Sequence, residues 1–370
     1  MTLEPSVVCE GDEVRVAWTG YRGDGDDPPD RGVLNAVPTD AFTPALVDLE
    51  VAVPGVLDVV AARSGGVAAE PGPYGTAEGL SSLVHVRPCD AAGRQYRHDD
   101  ARDVVALAAA PSGAEVVAAL RGPSAVDRLA RLDADANEVA TAFVTGEYGG
   151  RVRDVAVAPD GTVVAVGWRP LAAAGSATEA VVWRWPVGGQ PDAGTAIAPT
   201  TPGLFARAAA VAIDAGGRTW VAWTEGPSGQ TLAAVTGIAP DGAHVATYAM
   251  APDPPSQALA LAVDALGRPT LLALAAASAT TTANLAVHAL DADGAPRWTR
   301  GASSWETAAL ASGAPANGRT FGCARADVPG ALAWSGGAVV AGSTQGALAT
   351  TLDPDGLAEA FVLRFPAGAP

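Results

Sequence analysis

A chain of 370 residues is too long for one compact domain unless it forms a barrel, a sandwich or a repeat array. Its 43 glycines and 29 prolines punctuate a sequence that is 49% hydrophobic, which excludes a disordered chain. The formal charge of -17, from 40 acidic residues against 23 arginines and no lysine, argues against nucleic acid and anionic membranes as partners, because both require a basic face.

The first predicted element is a hairpin over residues 7–19 that turns at Gly11-Asp12. The same pattern returns with turns at Gly65-Gly66, Ser112-Gly113, Asp160-Gly161, Gly216-Gly217, Leu266-Gly267 and Gly336-Gly337. These turns lie mostly about 50 residues apart, a spacing within the range of propeller blades. The copy over 211–224 even repeats the Val-Ala-Trp-Thr of residues 16–19. A second turn follows each of them, at 90–93, 133–135, 187–189, 240–242, 291–294 and 353–356, with 38–40 filling that slot weakly in the first copy. Each repeat is therefore expected to hold two hairpins, or four strands A to D.

The A strands (155–158, 211–213, 259–263) are nearly continuous apolar runs, which suits burial on both faces. In the last copy, residues 358–365 are expected to close the chain as a D strand. Gly and Pro interrupt every helical alternative. The fold class expected is all-β: a single seven-bladed β-propeller of four-stranded antiparallel blades over 1–55, 56–101, 102–150, 151–206, 207–256, 257–300 and 301–370, the last with a long loop at 301–329. Six blades with an irregular N-terminal segment is the structural alternative.

Residues 155–167, 290–301 and 346–356, with their Pro-Asp-Gly and Asp-Ala-Asp-Gly turns, resemble bacterial β-propeller repeats of the SBBP and delta-60 type. The resemblance covers most of the chain. It implies an exported or surface protein of the kind abundant in GC-rich bacteria such as myxobacteria, without assigned catalysis. The start, Met1-Thr2-Leu3-Glu4-Pro5, has neither the charged n-region nor the apolar core of a signal peptide, so this reading requires a leader that was removed; otherwise the protein is cytosolic. No apolar run is long enough to span a bilayer, so membrane insertion is not expected.

With this strand order, the A–B and C–D turns share one rim and the B–C and D–A connections gather on the opposite face around the channel mouth. Loops presented by a rigid scaffold carry function, so the second face is the expected ligand site. It gathers Tyr21, Asp24, Asp26, Asp27, Tyr74, Tyr148, Trp168, Arg169, Arg207, Glu225, Trp305, Arg319 and Phe321. The acidic loop of residues 21–30 offers oxygen ligands for Ca²⁺ through Asp24, Asp26 and Asp27, although it lacks the full ligand set of a known calcium loop. The Asp-Gly sequences of the repeat turns are explained by turn chemistry instead. The segment 301–329 either contributes stacking and hydrogen-bonding groups to a ligand, plugs the channel or covers the seam of the ring; there Cys323 comes near copy one, where a bond to Cys9 would staple the closure.

Catalytic motifs are absent. His85, His98, His244 and His288 have no metal-ligand spacing, and His85 and His288 sit in C strands as structural residues. A nucleophile elbow is missing, and a phosphate loop needs the lysine the chain lacks. Trp18, Trp183, Trp185, Trp220 and Trp223 read as core between blades. The function expected is a non-catalytic binding or scaffolding propeller for a protein or glycan. A hydrolase or lyase using loop carboxylates such as Asp26 and Glu225 is the alternative, and a structural subunit of a homo-oligomer or shell is a third reading.

Overall fold

The computed structural model describes residues 6–10, 13–20, 31–38, 49–51, 59–61, 67–69, 82–87, 90–97, 103–112, 115–121, 127–133, 137–144, 149–171, 177–197, 205–227, 230–251, 255–276, 283–301, 327–334, 337–344 and 359–366. Side chains are described between 105 and 299 within these stretches, except at 276 and 283–285, and at Leu332.

The described strands form seven antiparallel sheets, each built from consecutive strands hydrogen-bonded in chain order. The first holds β1 (Ser6–Glu10), β2 (Glu13–Gly20), β3 (Arg31–Pro38) and β4 (Leu49–Val51). The second holds β5 (Val59–Ala61), β6 (Val67–Ala69), β7 (Ser82–Arg87) and β8 (Asp90–Arg97). The third holds β9 (Asp103–Ala109), β10 (Glu115–Arg121), β11 (Arg128–Asp133) and β12 (Glu138–Phe143), and the fourth β13 (Arg151–Val157), β14 (Val163–Pro170), β15 (Thr178–Trp185) and β16 (Thr195–Ile197). The fifth comprises β17 (Phe205–Ile213), β18 (Thr219–Gly226), β19 (Leu232–Ile238) and β20 (His244–Ala249). The sixth comprises β21 (Ser256–Val263), β22 (Pro269–Ala276), β23 (Ala283–Leu290) and β24 (Pro296–Gly301), and the last β25 (Asp327–Trp334), β26 (Gly337–Thr344) and β27 (Glu359–Pro366).

The first strands of successive sheets lie side by side around the ring, and β25 returns against β1. Among the described residues, neither the first nor the last sheet borrows a strand from the other end of the chain. Two sequence expectations change here. Residues 359–366 pair with β26 and hold the C position, not the D position, while the expected turn at 353–356 lies outside the described residues. Residues 90–93 lie in β8 and are not a turn.

Burial also departs from expectation. The A strands are only half-buried, with exposure alternating along β13, because they sit innermost in the ring. The fully buried strands are the central ones, β14 over its first five residues and β18 throughout. Alternation sorts their side chains: Val163 and Ala165 pack with Trp183 against the third sheet, while Val164 and Val166 pack with Trp223 against the fifth. Trp220 and Trp223, three residues apart, therefore serve opposite seams. Each buried indole contributes on the order of 2–3 kcal/mol of apolar burial.

Local irregularities repeat too. In five A strands the register skips one residue at the same place: Val105, Arg153, Ala209, Leu259 and Gly330. Such a bulge increases the local twist of each innermost strand. A second bulge, just after the C–D turn, leaves Val139 and Val245 unpaired, which accounts for their exposure on otherwise packed blades.

The turns share one geometry. In the turn of residues 158–162, the Ala158 amide donates to the Thr162 carbonyl at 2.8 Å and the Gly161 amide to the Ala158 carbonyl at 2.9 Å. Gly161 takes a φ of 84°, the left-handed conformation this three-residue loop requires. The turns starting at Asp214, Ala239, Asp264 and Asp291 repeat the pattern.

Candidate functional site

Of the residues expected at the loop face, Trp168 and Arg169 end β14, Arg207 lies near the start of β17 and Glu225 near the end of β18. All four are at the B–C and D–A end of their blades. Tyr21, Asp24, Asp26, Asp27, Tyr74, Tyr148, Trp305, Arg319, Phe321 and Cys323 lie outside the described residues, as does the side chain of Cys9 on β1.

The structure brings Trp168 and Arg207 together across the seam between the fourth and fifth sheets. The exposed Arg207 guanidinium sits 4.8 Å from the centre of the Trp168 ring and 5.7 Å from that of Phe205. Stacking on two aromatic faces holds the cation by attraction to their ring quadrupoles. Arg169 is turned to structural use: it pairs with Glu179 and donates from Nη1 to the Ala193 carbonyl at 2.9 Å. Glu225 is 1% exposed, within the sheet, and so is not presented to solvent at the mouth.

One residue on this face had no sequence signal. Asp127 stands just before β11 and is fully buried; its carboxylate accepts from Arg151 Nη1 at 3.0 Å and from the Val152 amide at 2.8 Å. Burial pushes its carboxyl above the usual range, against the lowering pull of these two donors. The group locks the third sheet to the fourth, and its partners lie 24 and 25 residues away, too far to be read locally.

His288, in β23, is buried as the sequence suggests for a structural residue. Its Nδ1 lies 3.0 Å from the Tyr248 hydroxyl and 3.2 Å from Thr299 Oγ1, while Nε2 has no partner. Desolvation lowers its pKa to about 4. Among the described residues, no three His, Cys, Asp or Glu side chains gather as a metal site. The turn acids serve their own backbone: Asp160 accepts from the Thr162 amide at 2.8 Å, which holds its carboxyl below the usual range, and Asp241 and Asp293 accept likewise at 3.0 and 3.1 Å.

The opposite rim also carries a concavity. A cleft of about 530 Å³ opens between the turns of the fourth and fifth sheets, walled by Pro159, Pro186 and Pro240 and holding Arg184, Asp160 and Asp192. Its volume falls within the range of small-molecule sites. This rim lies opposite the face where the strand order predicts a ligand.

The β-propeller domain of the trilobed protease from Pyrococcus furiosus superimposes on this chain with a TM-score of 0.56, at 8% identity, covering 98% of this chain and 95% of that one. This chain is a β-propeller. The tricorn protease matches with a TM-score of 0.52 at 10% identity, over 99% of this chain and 36% of that chain. The Pyrococcus domain is described as having an open velcro topology. In this propeller the described strands close the ring by packing β25 against β1 without exchanging a strand. No protein-family model matches the sequence, and no curated protein matches it; the resemblance to SBBP and delta-60 repeats therefore stands at the level of the propeller fold.

Proposed function

We infer that this propeller is a non-catalytic binding module that recognises a protein or glycan through the face of its B–C and D–A connections. The observation that carries this reading is the exposed Arg207 guanidinium held between Trp168 and Phe205. Rigid aromatic and arginine groups are the residue types that dominate recognition surfaces, and aromatic faces also stack on sugar rings. Tyr21, Tyr74, Tyr148, Trp305, Arg319 and Phe321 extend this surface around the mouth in the proposal. Asp24, Asp26 and Asp27 are its calcium ligands, should the site use an ion, and an extracytoplasmic location accompanies the same reading.

The test is a glycan array and an affinity capture with the intact protein, alongside a variant carrying Trp168→Ala and Arg207→Ala. The expected result is a ligand retained by the parent and lost by about tenfold or more in the variant. Absence of any ligand, together with hydrolytic turnover abolished by Asp24→Asn or Asp26→Asn, overturns the reading.

A further inference from the structure

We propose that the cleft on the turn rim between the fourth and fifth sheets is a second ligand site, for a small carboxylate that also carries hydroxyl or ammonium groups. The argument comes from comparing two adjacent seams of the same ring. Arg131 and Arg184 occupy the same position in consecutive blades: each is on a C strand, paired to the residue two places beyond the one that closes its A–B turn.

At the seam between the third and fourth sheets, Arg131 is fully engaged. It pairs with Glu115 at 3.1 Å, donates to the carbonyls of Gly161 at 2.9 Å and Trp185 at 3.2 Å, and lies 4.8 Å over the Trp185 ring. Its side chain is 7% exposed, and it fills the gap between the turns.

At the next seam the two side-chain partners are replaced. Thr162 stands where the third sheet has Glu115, and Ile238 stands where the fourth has Trp185. The Arg184 guanidinium is left with one long bond, from Nη2 to the Ala239 carbonyl at 3.5 Å, and with the attraction of the Asp160 carboxylate, with no ion pair within 4 Å among the described residues. The cleft opens where the filled seam is closed, and Arg184 lines it.

A second departure from the repeat falls in the same cleft. Thr219 lines it at the position held by Val116 and Val163 in the two preceding blades. Its side chain is fully buried, and its hydroxyl has no hydrogen-bond partner. A buried polar atom left unsatisfied is costly, and valine has the same shape without that cost. A ligand group that reaches Thr219 Oγ1 removes the deficit.

The chemistry of the filled seam identifies what the open one takes. Arg131 is satisfied by a carboxylate, so Arg184 is complementary to a carboxylate brought from outside. Asp160 and Asp192 on the same walls are acceptors and disfavour a bare anion, so the ligand must also carry donors. Sugar acids and free amino acids both meet this description.

Titration calorimetry on the full chain tests it with D-glucuronate and L-glutamate as probes and D-glucose as the neutral control. Saturable binding of either acid, at least about tenfold tighter than glucose, is expected, and the acid that binds identifies the source. Arg184→Gln is expected to weaken it about tenfold or more, and the isosteric Thr219→Val to weaken it severalfold without loss of fold. Trp168→Ala with Arg207→Ala leaves it unchanged, which separates this site from the loop face. Failure of both acids to bind, or binding that survives Arg184→Gln, overturns the proposal.

Discussion

Oδ2 of Asp154 accepts a hydrogen bond from the amide of Val211 at 2.8 Å, so one carboxylate joins the innermost strands of the fourth and fifth sheets. Its other oxygen takes the amide of Val155, also at 2.8 Å. Asp154 directly follows the bulged Arg153, where the skipped register releases a strand amide from its ladder. The acid thus repairs the bulge and locks the seam at once. Replacement by alanine leaves two strand amides without their acceptor and is expected to lower stability by about 2 kcal/mol or more, read as a lower urea midpoint. Replacement by asparagine keeps one acceptor oxygen and is expected to fall between alanine and the parent.

Gly167 faces that same bulge. A methyl group built there would lie 1.8 Å from the Arg151 carbonyl oxygen, a contact that only a backbone shift relieves. Gly167→Ala is expected to destabilise by about 3 kcal/mol or more, with a correspondingly lower Tm. Gly188→Ala is a useful contrast, since nothing lies within 4 Å of the added methyl and only the strain of its φ of 69° counts.

The two indoles of β18 are equally buried yet differ in hydrogen bonding. Trp223 Nε1 donates to Thr236 Oγ1 at 3.0 Å, whereas Trp220 Nε1 has no partner. Trp223→Phe is therefore expected to cost more than Trp220→Phe, by about 1 kcal/mol, in paired urea denaturations. Equal losses contradict the assignment.

Stability should depend on pH through His288. Its folded pKa, near 4, lies below the 6.5 of an exposed histidine. Between these values the unfolded chain binds a proton that the folded chain refuses, so stability is complete above about pH 6.5 and declines as the pH falls towards 4. The full effect is on the order of 3 kcal/mol. His288→Gln is expected to flatten this part of the pH profile in thermal melts, leaving the carboxylate contribution at lower pH.

Much of the scaffold was legible in the sequence because its determinants are local. Pro159-Asp160-Gly161 specifies a turn through an aspartate that caps its own backbone and a glycine at positive φ, and Val163 to Val166 assign themselves to two seams by alternation alone. In the last sheet the Asp-Pro-Asp-Gly of residues 353–356 has the same local chemistry wherever it falls in a blade; only pairing with β26 shows that residues 359–366 form a third strand.

At the sites, the order of causes reverses. Trp168 and Arg207 were assigned to one face from strand order, but their stacking is a contact across a seam. Asp127, Asp154 and Arg184 look alike in sequence to any polar residue of a strand or loop end. Their roles come from partners 25, 57 and 55 residues distant. The sequence by itself determined the turns, the alternation and the repeat, since each depends on neighbours along the chain. Which arginine fills its seam and which faces an open cleft was decided only by the tertiary structure, because Glu115 and Trp185 meet Arg131 solely through the register of two packed sheets.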